Sequence, residues 1–142
     1  MHMSAHGRQL LTEWEGKRYE VYHDVGGKPT IGVGHLLQAG ESFPFGIDDE
    51  KIDMLLTADL RVAEDALNSC GSALTQNQFD ALCSFIFNIG VSNFVSSTLK
   101  KDLLANNLAD IPTQLMRWNK VAGEKNEGLV NRRAKELALW KS

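Results

Sequence analysis

Glu15, Asp24 and Thr30 fall within one stretch, WEGKRYEVYHDVGGKPTIGVGH, running from Trp14 to His35. Two carboxyl groups and a hydroxyl so placed can give a proton to a leaving group, take one from water, and hold that water. Glycosidic bond cleavage needs such a pair, with environments that push the two proton affinities apart. Glu15 sits where a first helix should end. Helix carbonyls with partial negative charge and the apolar wall of Trp14 both favour its protonated form. A carboxyl that keeps its proton near neutral pH serves as a general acid. Asp24 sits beside a glycine-rich turn, a wet place where it stays ionised. By spacing alone, the same residues are equally a helix-end carboxylate, a turn aspartate and a strand threonine.

Holding one water between Asp24 and Thr30 requires both on one face of a hairpin, where side chains alternate with period two. A two-residue Gly26-Gly27 turn would put them on opposite faces. A three-residue loop, Gly26-Gly27-Lys28, would pair Asp24 with Thr30, so the expectation is an odd-length loop with a glycine at positive φ. His23 and His35 flank the hairpin, but no further ligand completes a metal site, and His35 is expected to pack or hydrogen-bond behind the carboxylates. Gly32-Val33-Gly34 lacks the third glycine and the following helix of a dinucleotide loop.

The elements that must position these residues follow from periodicity. Ala5–Glu15 reads as a helix with Leu10, Leu11 and Trp14 on one face, stopped by Gly16. Arg18–His35 reads as a β-hairpin, and a loop with Gly40, Pro44 and Gly46 follows. Asp48 is an N-cap for a helix to about Ser69 through Ile52, Leu55, Leu56, Leu60, Ala63 and Leu67, long enough to join two lobes. Thr75-Gln76-Asn77-Gln78 is a capping box opening an apolar core helix that ends at Gly90. Helices are expected at about 95–105, 110–119 and 128–140. The class is α+β, a single domain with a β-lobe over about 16–47, a connecting helix over about 48–70, and a helical lobe over about 71–142 that takes in the N-terminal helix.

The chain has 142 residues, 43% apolar and 23% charged, with a formal charge of -3. These values fit a globular domain rather than a disordered one. From Pro112 onward there are seven Lys/Arg against three Asp/Glu, so the C-terminal segment is basic within an acidic chain. No basic stripe with interleaved aromatics suggests nucleic acid. Nothing is apolar enough for a signal peptide or a membrane span. Met1-His2-Met3 reads as an added start. Cys70 and Cys83 have no CxxC spacing and are expected as buried free thiols.

The stretch EGKRYEVYHDVGGKPTIGVGH resembles the phage-type lysozyme family, glycoside hydrolase family 24. The likeness continues in LTQNQFDALCSFIFNIGVSNFVSSTL and GLVNRRAKELALW, so it spans most of the chain. The resemblance implies a two-lobed lysozyme-like fold with a cleft, and cleavage of the β-1,4 bond between N-acetylmuramic acid and N-acetylglucosamine in peptidoglycan. It implies Glu15 as acid, Asp24 and Thr30 activating water in an inverting displacement, and no metal or organic cofactor. It further matches Leu36, Phe87 and Ser97 to substrate contacts and Arg132 or Arg133 to an arginine beside the acid. Phage endolysin and secreted antibacterial effector, the latter with an immunity protein, are both settings it allows, and a monomer suffices. The chain departs from the pattern in its net acidity and in QAGESFPFG, where a longer second hairpin is expected. A lytic transglycosylase, needing one glutamic acid, and a non-catalytic wall-binding module are the alternatives.

Overall fold

The computed structural model describes residues 1–142. Helix α1 (Ala5–Glu15) begins at Ser4, whose side chain accepts the Gly7 N–H, and stops at Gly16. Strands β1 (Arg18–His23), β2 (Pro29–Gly32) and β3 (His35–Leu36) form an antiparallel sheet in that order. The expected hairpin thus gains a short third strand, because Val33 and Gly34 turn the chain back on itself.

Helix α2 (Asp49–Asn68) starts at the Asp48 cap and buries Ile52, Leu56, Leu60, Ala63 and Leu67 along one stripe. Helix α3 (Gln76–Ile89) opens with the reciprocal Thr75–Gln78 capping box. It buries Phe79, Ala81, Leu82, Cys83, Phe85 and Ile86 around most of its girth. Such a helix can only sit at the centre of a lobe. Both cysteines are buried and free.

The segment expected as one helix at 95–105 is two, α4 (Val91–Val95) and α5 (Thr98–Leu104). Gly90 ends α3 and also opens α4, so a residue read as a stop is a corner. A 3-10 turn (Leu108–Asp110) leads into α6 (Ile111–Met116). A two-stranded hairpin, β4 (Lys120–Val121) and β5 (Glu124–Lys125), was not foreseen. Its turn residues Ala122 and Gly123 both have positive φ, a conformation the alanine does not advertise in sequence. Helix α7 (Glu127–Lys141) closes the fold against α3. No helix is long and apolar enough to cross a membrane.

The first residues are part of this packing. Met3 is buried in the core, and its N–H donates to Glu64 on α2 at 2.6 Å. The terminal ammonium donates to Asn68 at 3.0 Å. Met3→Ala should therefore lower stability to urea by about 2 kcal/mol or more. An unchanged midpoint would mean that the segment is loose in solution.

Candidate active site

The end of α1 meets the turn between β2 and β3. Glu15 occupies the last turn of α1, with its side chain 19% exposed. Its Oε1 accepts a hydrogen bond from Arg132 Nη1 of α7 at 2.9 Å. Its Oε2 has no hydrogen-bond partner and rests against Gly34, where a Cβ would lie 2.7 Å away. Gly34 has φ +63°, so turn and clearance both demand glycine.

Arg132 is itself buried and shared. Its Nε donates to Glu136 Oε2 at 3.1 Å and its Nη2 to Ser84 Oγ at 3.1 Å. The Trp14 ring lies 5.8 Å from its guanidinium carbon. Glu136 also pairs with Arg133, 2.7 Å away, and both are fully buried. Burial pushes the Glu136 carboxyl up, against the pull of Arg133 and Arg132. Burial likewise pushes the Arg133 guanidinium down, opposed by Glu136. Glu136 is thus met by two guanidinia, which is how a buried carboxylate is tolerated inside a lobe. What faces Glu15 is a cation as well as the helix end and Trp14.

On the sheet, His23 pairs with Pro29 and Tyr22 with Thr30. The loop is the odd-length one expected, with Gly27 at φ +78°, but its register is one residue earlier. Val25, Gly26 and Gly27 make the turn, and Asp24 faces Lys28: Asp24 N–H donates to Lys28 O at 2.9 Å. The reason is the aspartate itself, whose Oδ1 takes the Lys28 N–H at 2.8 Å and so closes the turn. Asp24 is therefore diagonal to Thr30 rather than opposite it, and still on the same face. Thr30, 2% exposed, donates its hydroxyl to Lys28 O at 3.0 Å.

Thr30 also pairs with Leu36, so Tyr22, Thr30 and Leu36 form a row across one face of the sheet. Leu36 is exposed, and with Gly34, Gln38, Phe87 and Val91 it lines a groove of about 340 Å³. Ser97 is not there. It is a buried N-cap of α5, donating to Phe94 O at 2.6 Å and accepting from Lys100 N. Arg133 is also away from the acid: its Nη2 donates to Asn88 and its guanidinium stacks 5.1 Å from Phe85. Of the two arginines, Arg132 is the one on Glu15.

His35 faces the other way from this row. Its Nδ1 lies 2.7 Å from Asp59 of α2 and its Nε2 2.9 Å from Glu41 of the following loop. Burial disfavours charge on the imidazole, but the bonds to Glu41 and Asp59 prevail and hold its pKa above 6.5. Asp59 is raised by burial against the pull of His35, and Glu41 is lowered by the Gln38 N–H and then by His35.

Sequence reasoning missed Tyr22, Ser84, Glu136, Glu41 and Asp59. Tyr22 carries a legible signal, since it lies two residues before Asp24 and so shares its strand face. Glu136 is spaced four and three residues after Arg132 and Arg133, the helical ion-pair spacing. Glu41 and Asp59 come from a loop and a distant helix, so no local pattern marks them.

An α+β fold with a glutamate at the end of its first helix, held by an arginine of the last helix and followed by an aspartate–threonine hairpin, is that of a lysozyme-type glycoside hydrolase. The chain belongs to the phage lysozyme family, whose model matches residues 12–136. It is 42% identical to the endolysin of Salmonella phage P22 over 100% of this chain and 99% of that one. It is 38% identical to the SAR-endolysin of Escherichia phage Mu over 94% of this chain and 77% of that one. The muramidase domain of SpmX from Asticaccaulis excentricus superposes with a TM-score of 0.85 at 32% identity, covering 100% of this chain and 99% of that chain. P22 lysozyme superposes with a TM-score of 0.84 at 39% identity, covering 100% and 99%.

The His35 clamp sets a pH dependence. A histidine whose folded pKa exceeds its unfolded value stabilises the fold fully below the unfolded value, here 6.5, and loses that contribution as pH rises through the folded one. His35→Gln should show its largest stability deficit near about pH 6 and a shrinking one toward about pH 8. Urea titrations across that range measure it, and a deficit independent of pH would contradict the clamp.

Proposed function

We propose that this enzyme cleaves the β-1,4 bond between N-acetylmuramic acid and N-acetylglucosamine of peptidoglycan by a single displacement with inversion. The observation that carries the reading is the division of labour in the two carboxyl groups. Each uses one oxygen structurally and leaves the other free: Glu15 Oε1 on Arg132, Asp24 Oδ1 on Lys28 N–H. Glu15 Oε2 then carries the proton that passes to the glycosidic oxygen as the bond to the anomeric carbon breaks. Water attacks that carbon from the opposite side and its proton passes to Asp24 Oδ2. Thr30 has given its own proton to Lys28 O, so toward water it can only accept. Asp24 and Thr30 together thus orient the nucleophile, and the product is a new reducing end of inverted configuration. The residues ask for no metal or organic cofactor.

Leu36 and Phe87 are assigned to substrate contact on the two walls of the groove. The names of the relatives, endolysins from several phages, support a lysis enzyme acting on the wall after release from the cytoplasm. Delivery as an antibacterial effector with an immunity protein is the second setting. The chain is proposed to act as a monomer, one domain with the β-lobe and helical lobe on either side of the groove.

Mass spectrometry of fragments from purified peptidoglycan tests this. Wild type should release ordinary reducing-end muropeptides. Glu15→Gln should lose at least about 100-fold in rate, since general acid catalysis is worth that much or more, and Asp24→Asn should be similarly impaired. Anhydro products would instead indicate a transglycosylase, and no fragments a binding module.

A further inference from the structure

We propose that Tyr22 is a further catalytic residue of this site, its phenol O–H donating a hydrogen bond to the attacking water. The inference rests on the reading of Asp24 and Thr30 given above and completes it. A water poised to attack has two protons and two lone pairs. One proton goes to Asp24 Oδ2. The second goes to Thr30 Oγ1, which can only accept because its own hydrogen is held by Lys28 O. One lone pair is aimed at the anomeric carbon. The other lone pair is open to a donor that would fix the water's orientation, and neither Asp24 nor Thr30 has one to give.

Tyr22 is placed to supply it. It stands directly across from Thr30 in the β1–β2 register and two residues from Asp24 on the same strand face. It is half-buried, and its hydroxyl has no hydrogen-bond partner anywhere in the protein. Its ring is already fixed by Arg18, whose guanidinium carbon lies 4.8 Å from the ring centroid. The orientation of the side chain therefore does not depend on the hydroxyl. Burial raises the phenol's proton affinity, and the nearby carboxylates Glu15 and Asp24 raise it further against the pull of Arg18. The group stays a donor throughout the working pH range. The strand register, with Thr30 across and Asp24 two residues on along the same face, is what puts the phenol beside the proposed water.

The hydroxyl bonds neither Asp24 nor Thr30 in the free enzyme, so its removal should leave the fold and the ground-state groove alone. Its loss should appear in the chemical step. Tyr22→Phe keeps the ring and its stacking on Arg18 and removes one oxygen. We expect kcat on soluble glycan chains to fall about 10- to 100-fold while KM stays within about twofold, since orientation of the attacking water is lost and substrate binding is not. Thermal unfolding should be unchanged. Tyr22→Leu, which also removes the ring, should lower both kcat and stability. The comparison includes wild type and Asp24→Asn. If wild type hydrolyses glycan and Tyr22→Phe matches it in kcat, the role of Tyr22 is overturned and the muramidase reading stands. A rise in KM with kcat intact would also overturn it, placing Tyr22 in ground-state binding. If wild type releases no reducing ends, the underlying reading itself has failed.

Discussion

The hydrogen bond from Arg132 to Glu15 joins the last turn of the first helix to the last helix of the chain, 117 residues away. Without it, a carboxylate at a helix C-terminus would face like partial charge and point wherever solvent allowed. With it, one oxygen is fixed and the other is left unbonded over Gly34, at the floor of the groove. The arginine can serve there because Glu136 and Ser84 hold its far side inside the lobe. Glu136 in turn is tolerated because Arg133 meets it from the other side. Taking out Glu136 would leave the buried Arg133 guanidinium without a carboxylate, a costly unpaired charge. The proposed acid is thus seated by a charge network that belongs to the packing of α3 against α7.

The opposing wall is made by more local means. Asp24 closes its own turn through Lys28 N–H, and Thr30 ties down the carbonyl of the same residue. Lys28 is therefore the common anchor of the two groups proposed to hold water. Their second functional atoms are freed because the first are used in folding. The sheet that carries them is fastened to the connecting helix by His35, gripped by Asp59 from α2 and by Glu41 from the loop after β3. Relative placement of the two walls thus depends on a buried imidazole with a carboxylate on each ring nitrogen.

Much of this is written in local sequence. The Thr75–Gln78 capping box, the Asp48 cap and the apolar stripe of α2 identify their helices because caps and periodicity act within a few residues. The parity of the β1–β2 loop is legible as well, since glycine content and face alternation constrain each other. Its register is not, because the aspartate's side chain takes a bond that a backbone-only count assigns to the strand. Gly90 misleads for a related reason: a glycine that can end one helix can also start the next. The resemblance matches Ser97 to the cleft, and its capping of α5 shows only in the structure. The Arg132–Glu136–Ser84 cluster is legible in part, through helical spacing, but its link to Glu15 is a tertiary fact. The family resemblance brings the arginine to mind and leaves two candidates; the packing of Arg133 into Asn88 and Phe85 resolves them.

Glu15 and the Asp24–Thr30 pair are assigned here to opposite faces of the scissile bond, and that assignment fixes the stereochemistry of the product. Proton NMR of reducing ends, recorded in the first minutes of hydrolysis before mutarotation equilibrates them, reads it directly. The α-anomer should appear first, as water attack opposite the departing β-linked sugar requires. Initial release of the β-anomer would mean retention, and would show that Asp24 and Thr30 do not deliver water in the way this geometry implies.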